Sequence, residues 1–242
     1  MTDLTGKTIL VTGASSGIGK ATAEYLVSCG AKVIGGGRSV AALEELASST
    51  GVTPLPFDLE SEDSIRDAVS DLDLWGVVNC GGFGGEIATP METDIAVFDK
   101  VIRVNARGSL LVIKHTAPGM IARGKGGSIV NVSSQASLVA LRGHVSYGAS
   151  KAALDSITRV SALELGQYAI RVNGVNPTVV LNDMSAFYWG RPEIAAPFLS
   201  QMPLGRWATT ADVSGPIGFL LSDESAMITG VSLPIDGGFT SV

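Results

Sequence analysis

The stretch Thr12-Gly13-Ala14-Ser15-Ser16-Gly17-Ile18-Gly19 decides the fold. It follows the apolar run 7–11 (KTILV), which is typical of a buried strand, and it opens a segment with helical spacing. Gly13 permits a sharp turn, Gly17 lets a ligand approach the backbone, and Gly19 lets the helix pack close to the strand. Exposed backbone N–H groups and the positive helix end favour a diphosphate. The stretch predicts a dinucleotide-binding loop; a tight glycine turn without a ligand is the alternative.

The rest of the chain alternates short apolar runs with segments of helical length. The predicted strands are 7–11, 32–36, 52–58, 74–79, 128–133, 170–176 and 231–235. The predicted helices are 18–28, 40–48, 61–70, 94–122, 146–165 and 211–221. The strands are apolar almost throughout, which is typical of a sheet covered on both faces. We expect an α/β fold: a single doubly wound Rossmann domain over 1–242, with a mainly parallel seven-stranded sheet and helices on both faces. The irregular insertion 181–204 is expected to be a substrate lid.

Composition excludes several classes of protein. Hydrophobic residues make up 45% of the 242 residues and charged residues 17%, which excludes a disordered chain. A net charge of −6 argues against nucleic acid as a partner. The spacing of Cys29 and Cys80 fits no zinc or redox motif, and two histidines make a metal site improbable. No apolar run approaches the ~18 residues of a membrane span, and the start lacks a signal-peptide stretch. We expect a cytoplasmic protein without metal or membrane partner.

Four polar residues suggest proton-transfer chemistry. Tyr147 and Lys151 stand four positions apart on one predicted helix face. An ammonium group beside a tyrosine hydroxyl stabilises negative charge on its oxygen, so the pair suits proton exchange with a substrate. Ser134 follows the strand 128–133, and Asn105 lies in an earlier helix. A packed tyrosine ring beside a snorkelling lysine is the alternative for any one pair. The combination with the glycine loop predicts a catalytic site.

The end of the second strand bears on cofactor preference. A site for NAD(H) usually carries an acidic residue there, which accepts from the ribose 2′-hydroxyl. Here the run is Gly35-Gly36-Gly37-Arg38-Ser39, without an acid. Arg38 is either a solvated surface cation or a partner for a 2′-phosphate. We expect NADP(H) to be preferred, with NAD(H) possible.

Taken together, these motifs resemble the short-chain dehydrogenase/reductase family over essentially the whole chain. The resemblance also rests on Asp58-Leu59 and on Asn79-Cys80-Gly81-Gly82, where Cys80 and Gly81 replace the usual Asn and Ala. It implies that Tyr147 exchanges the proton, Ser134 orients the carbonyl, Lys151 binds the nicotinamide ribose, and Asn105 holds a water. The cofactor-binding residues it implies are Gly13, Ser15, Ser16, Gly17, Ile18, Gly19, Arg38, Ser39, Asp58, Leu59, Asn79, Gly81, Tyr147, Lys151, Pro177, Val180 and Asn182.

A narrower resemblance within the family is to the L-xylulose (dicarbonyl) reductase group, carried by 129–137 (IVNVSSQAS), 176–180 (NPTVV) and 233–239 (LPIDGGF). It implies that Gln135, His144 and Trp189 bind substrate together with Ser134 and Tyr147. The first expectation is an oxidoreductase acting on a small ketose, polyol or α-dicarbonyl. A secondary-alcohol dehydrogenase for another substrate class and a non-catalytic nucleotide sensor are the alternatives. The apolar, small-residue content of 109–117 and 149–165, together with family practice, predicts a homotetramer.

Overall fold

A parallel sheet forms the centre of the computed structural model, which describes residues 2–181 and 185–241. Its seven strands, in chain order, are β1 Thr8–Thr12, β2 Lys32–Gly37, β3 Thr53–Pro56, β4 Gly76–Asn79, β5 Gly127–Val132, β6 Ile170–Pro177 and β7 Ser232–Ile235. Their spatial order is β3-β2-β1-β4-β5-β6-β7, and every neighbouring pair is parallel. The expected seven-stranded, doubly wound sheet is confirmed, and it is parallel in all these pairs rather than mainly so.

Helices cover both faces of the sheet. Their bounds are α1 Gly17–Ser28, α2 Val40–Thr50, α3 Glu62–Val69, α4 Ile95–Ile102, α5 Gly108–Arg123, α6 Val145–Leu165, α7 Ala186–Trp189, α8 Pro192–Leu199 and α9 Thr210–Leu221. Side chains of α1, α2 and α9 form one apolar core with Ile9 and Val11 of β1. Side chains of α3, α5 and α6 form the other with Leu10. Successive strand residues point to opposite faces, so a strand between two cores must be apolar throughout.

Two predicted segments differ from the observed structure. The predicted helix 94–122 is divided by a π-helical turn, Arg103–Arg107, which separates α4 from α5. Hydrophobic spacing does not register one extra residue in a turn, so sequence periodicity missed it. The predicted irregular insertion 181–204 contains α7 and α8 in its described part. The helix α8 begins with Pro192, whose fixed φ suits a first helical position.

The order of the strands places a crevice at one edge of the sheet. The chain winds outward from β1 to β3 in one direction and from β4 to β7 in the other. Loops that leave β1 and β4 therefore diverge to opposite faces, and a gap opens beyond their carboxyl ends. The first glycine-rich loop leaves β1 and enters α1 at this point. The fold thus provides the crevice where ligands bind in open α/β sheets.

The close contact between α1 and the loop before it gives a prediction about stability. A Cβ atom at Gly19 would lie 2.2 Å from the carbonyl oxygen of Gly13, which is backbone and cannot move aside. We expect Gly19→Ala to lower the free energy of unfolding by about 1–3 kcal/mol in a urea titration. Gly119→Ala in α5 is the control, because its Cβ would meet only Leu72 O, at 3.5 Å. That change should be neutral or stabilise by up to about 1 kcal/mol. Equal effects of the two substitutions would contradict this account.

Candidate active site

A cavity of about 670 Å³ occupies the crevice at the carboxyl ends of the strands. It brings together most of the residues that the sequence predicted for cofactor and substrate. Those lining it are Gly13, Ser15, Ser16, Gly17, Ile18, Gly19, Arg38, Asp58, Leu59, Gly81, Ser134, Gln135, His144, Tyr147, Lys151, Pro177, Val180 and Trp189. The glycine loop and the Tyr147–Lys151 pair therefore face one continuous space.

Two backbone segments approach each other closely beneath this cavity. Gly13 has a φ of +70° and faces Gly81, so that a Cβ atom on it would lie 2.7 Å from Gly81 Cα. Thr12 Oγ1 accepts hydrogen bonds from the N–H groups of Cys80 and Gly81, both at 3.0 Å. The loop after β1 is thereby tied to the loop after β4. Thr12 thus fixes the main chain at Cys80 and Gly81, the two residues that differ from the usual family motif. Thr12 was not among the residues predicted to bind the cofactor.

Asn105 lies in the π-helical turn, is fully buried and does not line the cavity. Its side chain bonds both main-chain polar groups of Phe83: Oδ1 accepts from Phe83 N at 2.8 Å, and Nδ2 donates to Phe83 O at 3.0 Å. Nδ2 also lies 3.0 Å from Ser150 Oγ, on α6. The side chain thus fixes the loop after β4 against α6. Both protons of its amide nitrogen are taken up by these contacts, whereas Oδ1 accepts one hydrogen bond.

Lys151 is buried and directed at the end of β5. Its Nζ donates to Val132 O at 2.8 Å and lies 5.6 Å from the centroid of the Tyr147 ring. Its main-chain carbonyl accepts from Ser133 Oγ at 3.2 Å. The ammonium group is therefore fixed beside the ring, as the four-residue spacing on α6 predicted. Both side chains reach the cavity from one rigid helix.

Ser134 is extended, with φ −166° and ψ 154°, and begins a short 3₁₀ turn. Its Oγ accepts from Ala136 N at 3.1 Å, which leaves the hydroxyl proton free to be donated into the cavity. A buried hydroxyl with a free proton can hold a carbonyl oxygen. Tyr147 lines the same cavity.

Aromatic side chains close the other end of the cavity. The His144 and Trp189 ring centroids are 5.6 Å apart, and those of His144 and Tyr188 are 6.1 Å apart. Behind Trp189, the Phe198 ring stacks on Phe239 with centroids 4.6 Å apart. These five side chains, which we call the aromatic cluster, pack α7 against α8 and the last turn of the described chain. Tyr188 lines the cavity and was missed by sequence analysis.

The hydrogen bonds of His144 determine which of its ring nitrogens is free. Nδ1 lies 2.7 Å from Arg142 O, and a carbonyl oxygen can only accept. In the neutral ring the proton is therefore on Nδ1, and Nε2 is an acceptor. Gln135 is 1% exposed, and neither atom of its amide group has a hydrogen-bond partner in the described part of the chain. This end of the cavity thus offers an acceptor and an unpaired amide.

Some predicted cofactor residues lie elsewhere. Asn79 is buried beneath the cavity, where its Nδ2 donates to Asn131 Oδ1 at 2.9 Å. Ser39 caps α2 by accepting from Ala42 N, and it does not line the cavity. Asn182 lies outside the described residues. Asn79 is therefore bonded within the protein and Ser39 caps α2, and contact of either with a cofactor stays a prediction.

The Cys80 thiol is unusual for a residue that lines the cavity. Burial raises its pKa to about 12, and the nearby Lys151 ammonium offsets only part of this rise. A thiol with so high a pKa stays protonated at neutral pH and is a poor nucleophile. Cys80 therefore serves as a small apolar residue beside the glycine loop.

The residues present fit a dinucleotide. Gly13, Gly17 and Gly19 line the cavity, and the tight packing of the loop leaves no room for a side chain at Gly13 or Gly19. The buried hydroxyl of Thr178 lines the cavity and has no hydrogen-bond partner among the described residues, so it is available to a ligand. No group of His, Cys, Asp and Glu within 2–181 and 185–241 is arranged to hold a metal. Over the same residues, no helix has the length and apolar character to cross a membrane.

Comparison with known proteins identifies the family. A family model described as enoyl-(acyl carrier protein) reductase matches residues 13–240. The chain is 43% identical to the D-erythrulose reductase of Gallus gallus over 97% of its own length and 96% of that protein. The chain belongs to the short-chain dehydrogenase/reductase family. It is an NAD(P)-dependent oxidoreductase, and its sheet and helices are those of this family.

Two further comparisons describe similar members of the family. This short-chain dehydrogenase/reductase is 42% identical to the L-xylulose reductase of Homo sapiens over 98% of its own length and 97% of that protein. A solved structure from Beutenbergia cavernae, a candidate NAD(P)-dependent gluconate 5-dehydrogenase with NADP bound at low occupancy, superposes with a TM-score of 0.91. It is 30% identical and covers 100% of this chain and 99% of that one.

Sequence patterns did not identify three residues that contribute to the site through their hydroxyl groups. Thr12 Oγ1 accepts two hydrogen bonds, and Ser150 Oγ contacts both Asn105 Nδ2 and Tyr147 O. The Thr178 hydroxyl is unpaired among the described residues. No spacing pattern reveals any of these three. The position of Thr12 as the last residue of β1 was the available signal, because strand ends at this edge face the crevice. Tyr188 had a signal too, as an aromatic residue beside the predicted Trp189 in the expected lid.

Proposed function

We propose that the chain is an NADP(H)-dependent carbonyl reductase for a small ketose, the matching polyol, or an α-dicarbonyl. One observation carries this proposal: Ser134, Tyr147 and Lys151 face the same cavity as the glycine loop. Relatives named for the reduction of L-xylulose and D-erythrulose support the substrate class.

The chain's own residues divide the work of this reaction. The glycine loop, Asp58 and Leu59 would hold the adenosine and diphosphate parts, and Pro177 and Val180 the nicotinamide end. When bound, the nicotinamide supplies or accepts the hydride. The Ser134 hydroxyl donates a hydrogen bond to the substrate oxygen and thereby fixes the position of that oxygen. Tyr147 gives its phenolic proton to that oxygen in reduction, and Lys151 stabilises the negative charge left on the ring.

The aromatic end of the cavity supports a hydroxylated substrate. His144 Nε2 accepts a hydrogen bond from a substrate hydroxyl, and the unpaired amide of Gln135 can both donate and accept. Buried polar groups of this kind discriminate against substrates that lack hydroxyls, because the groups would then stay unpaired. Trp189 would cover the substrate from a lid that includes α7 and α8.

A second candidate is an NAD(H)-linked dehydrogenase for an apolar secondary alcohol. Ile87, Leu141 and Phe187 line the same end of the cavity and offer apolar surface. The unpaired polar groups of Gln135 would remain unsatisfied with such a substrate, which makes it the less favoured candidate. A panel of ketoses, diketones and aromatic ketones, assayed with NADPH and NADH, separates the two.

We also infer a single-domain subunit that assembles as a homotetramer. Leu163 is 83% exposed and Val160 52% exposed on α6, and Leu110 is 45% exposed on α5. Large apolar side chains in such positions favour burial between subunits around two-fold axes. The cytoplasmic location stays a prediction of the sequence.

Replacement of the tyrosine tests the catalytic role. We expect Tyr147→Phe to lower kcat by at least about 100-fold, because the proton-transfer group is lost while the ring still packs. The Kd for NADPH, measured by fluorescence titration, should stay within about threefold of wild type. Near-normal kcat in this folded variant would overturn the assignment of Tyr147.

Cofactor choice tests the role of Arg38. We expect kcat/KM with NADPH to exceed that with NADH about ten- to a hundredfold, since one charged hydrogen bond to a 2′-phosphate contributes about 1.5–3 kcal/mol. The preference should weaken with added salt, because Arg38 is exposed. Gly37→Asp with Arg38→Leu should invert it; the new Cβ has room, with Ser15 Oγ at 3.4 Å. A wild-type ratio at or below one would defeat this argument.

Hydroxyl recognition is tested at His144. We expect His144→Phe to raise KM for a ketose about 3- to 10-fold, because an acceptor is lost while ring contact with Trp189 remains. The control is a small diketone without hydroxyls, whose KM should not change. Equal effects on both substrates would exclude hydroxyl recognition by this side chain.

Assembly is tested by sedimentation. We expect the protein to sediment as a tetramer at micromolar concentration and Leu163→Glu to shift it towards smaller species, because a charge would be buried in the interface. A wild-type monomer at that concentration would rule out the tetramer.

A further inference from the structure

A buried carboxyl group lies behind the proposed catalytic site. Asp155 is on α6, one helical turn beyond Lys151, and is 3% exposed. It does not line the cavity. Its Oδ2 accepts from Ser137 Oγ at 2.6 Å and from Asn176 Nδ2 at 3.0 Å. A carboxyl group so far from water needs strong partners, and both of its partners are neutral.

The same two partners also hold the main chain of Ser134. Ser137 Oγ lies 2.7 Å from Ser134 O, so its single hydroxyl proton is shared between that carbonyl and Asp155 Oδ2. Asn176 Nδ2 lies 3.2 Å from Ser134 O. Asn176 Nδ2 donates to Ser137 Oγ as well, at 2.8 Å, which closes the network. Asp155 therefore fixes two groups that converge on one carbonyl oxygen. Its other oxygen, Oδ1, has no hydrogen-bond partner among the described residues.

This network joins Ser134 to the helix that carries Tyr147. The helix α6 is already fixed to the end of β5 by the hydrogen bond from Lys151 Nζ to Val132 O. Asp155 adds a second attachment one turn along, to the segment that follows β5. The direction of the Ser134 hydroxyl depends on its main chain, because Oγ accepts from Ala136 N two residues on. Two attachments on one helix thus determine how the serine and tyrosine oxygens face each other.

Stability alone does not account for a carboxyl group at this position. Asp155 forms no ion pair in the described part of the chain, although its side chain is almost fully buried. Buried polar groups without a compensating charge usually cost stability relative to apolar residues of similar size. A gain in reaction rate offsets this cost in stability if the residue holds Ser134 in reactive geometry, because a displacement of about 1 Å can lower a rate about 100-fold.

We propose that Asp155 is a positioning residue that sets the Ser134 hydroxyl relative to Tyr147 through Ser137 and Asn176. The proposal rests on the carbonyl-reductase function proposed above. It assigns no substrate or cofactor contact to Asp155. Its effect should therefore appear in kcat and not in cofactor affinity.

The test compares three substitutions along the network. We expect Asp155→Ala to lower kcat about 10- to 100-fold, with Kd for NADPH unchanged. Asp155→Asn retains an acceptor oxygen and should restore most of the rate. Ser137→Ala, which perturbs the fold less, should lower kcat in the same direction by a smaller factor. The solvent isotope effect on kcat should increase in both alanine variants, because misplaced oxygens make proton transfer more rate-limiting.

Ser128→Ala is the control for a merely structural role. Ser128 is fully buried on β5 and donates to Leu220 O at 2.7 Å, far from Ser134. It should lower stability to urea without changing kcat or the isotope effect. If Asp155→Ala and Ser137→Ala keep kcat within twofold of wild type, the positioning role is wrong. A wild-type enzyme inactive across the substrate panel would overturn both proposals, whereas an active wild type with unaffected variants overturns only this one.

Discussion

The site depends on the close approach of two backbones, at Gly13 and Gly81. These residues leave neighbouring parallel strands at the point where the chain turns towards opposite faces of the sheet, so their loops must cross within van der Waals distance. Thr12 Oγ1 accepts hydrogen bonds from the N–H groups of Cys80 and Gly81 and so ties the two loops together. Asn105 holds the same loop after β4 at Phe83, and Lys151 on α6 donates to Val132 O at the end of β5. A side chain at Gly13 would push the two loops apart, because its Cβ would lie 2.7 Å from Gly81 Cα.

Features with a short repeat or a fixed spacing were predictable from sequence. The strands and most helices follow from apolar runs, and Tyr147 and Lys151 follow from a four-residue spacing on one helix. The π-helical turn at Asn105 was not predictable, because one added residue changes backbone hydrogen bonding but hardly changes the pattern of apolar residues. The buried position of Asn79 and the capping role of the exposed Ser39 were missed for a different reason. A motif predicts that a residue belongs to a site, but it does not distinguish a residue that contacts the ligand from one that stabilises the surrounding structure.

The helix α6 organises the proposed chemistry. It carries Tyr147 and Lys151, its Ser150 contacts Asn105, and Asp155 reaches the segment of Ser134. All four proposed catalytic residues therefore lie on α6 or are held against it by hydrogen bonds. The substrate end can therefore vary without a change in the residues proposed for proton transfer, which accords with a fold that hosts many functions.

The two walls of the cavity are held by different forces. Hydrogen bonds between backbone and side chains fix the glycine-loop wall, whereas the aromatic cluster from His144 to Phe239 holds the opposite wall by apolar contact. Apolar contact weakens on cooling because the hydration of apolar surface has a large heat capacity. Cooling should therefore weaken the aromatic wall more than the glycine-loop wall.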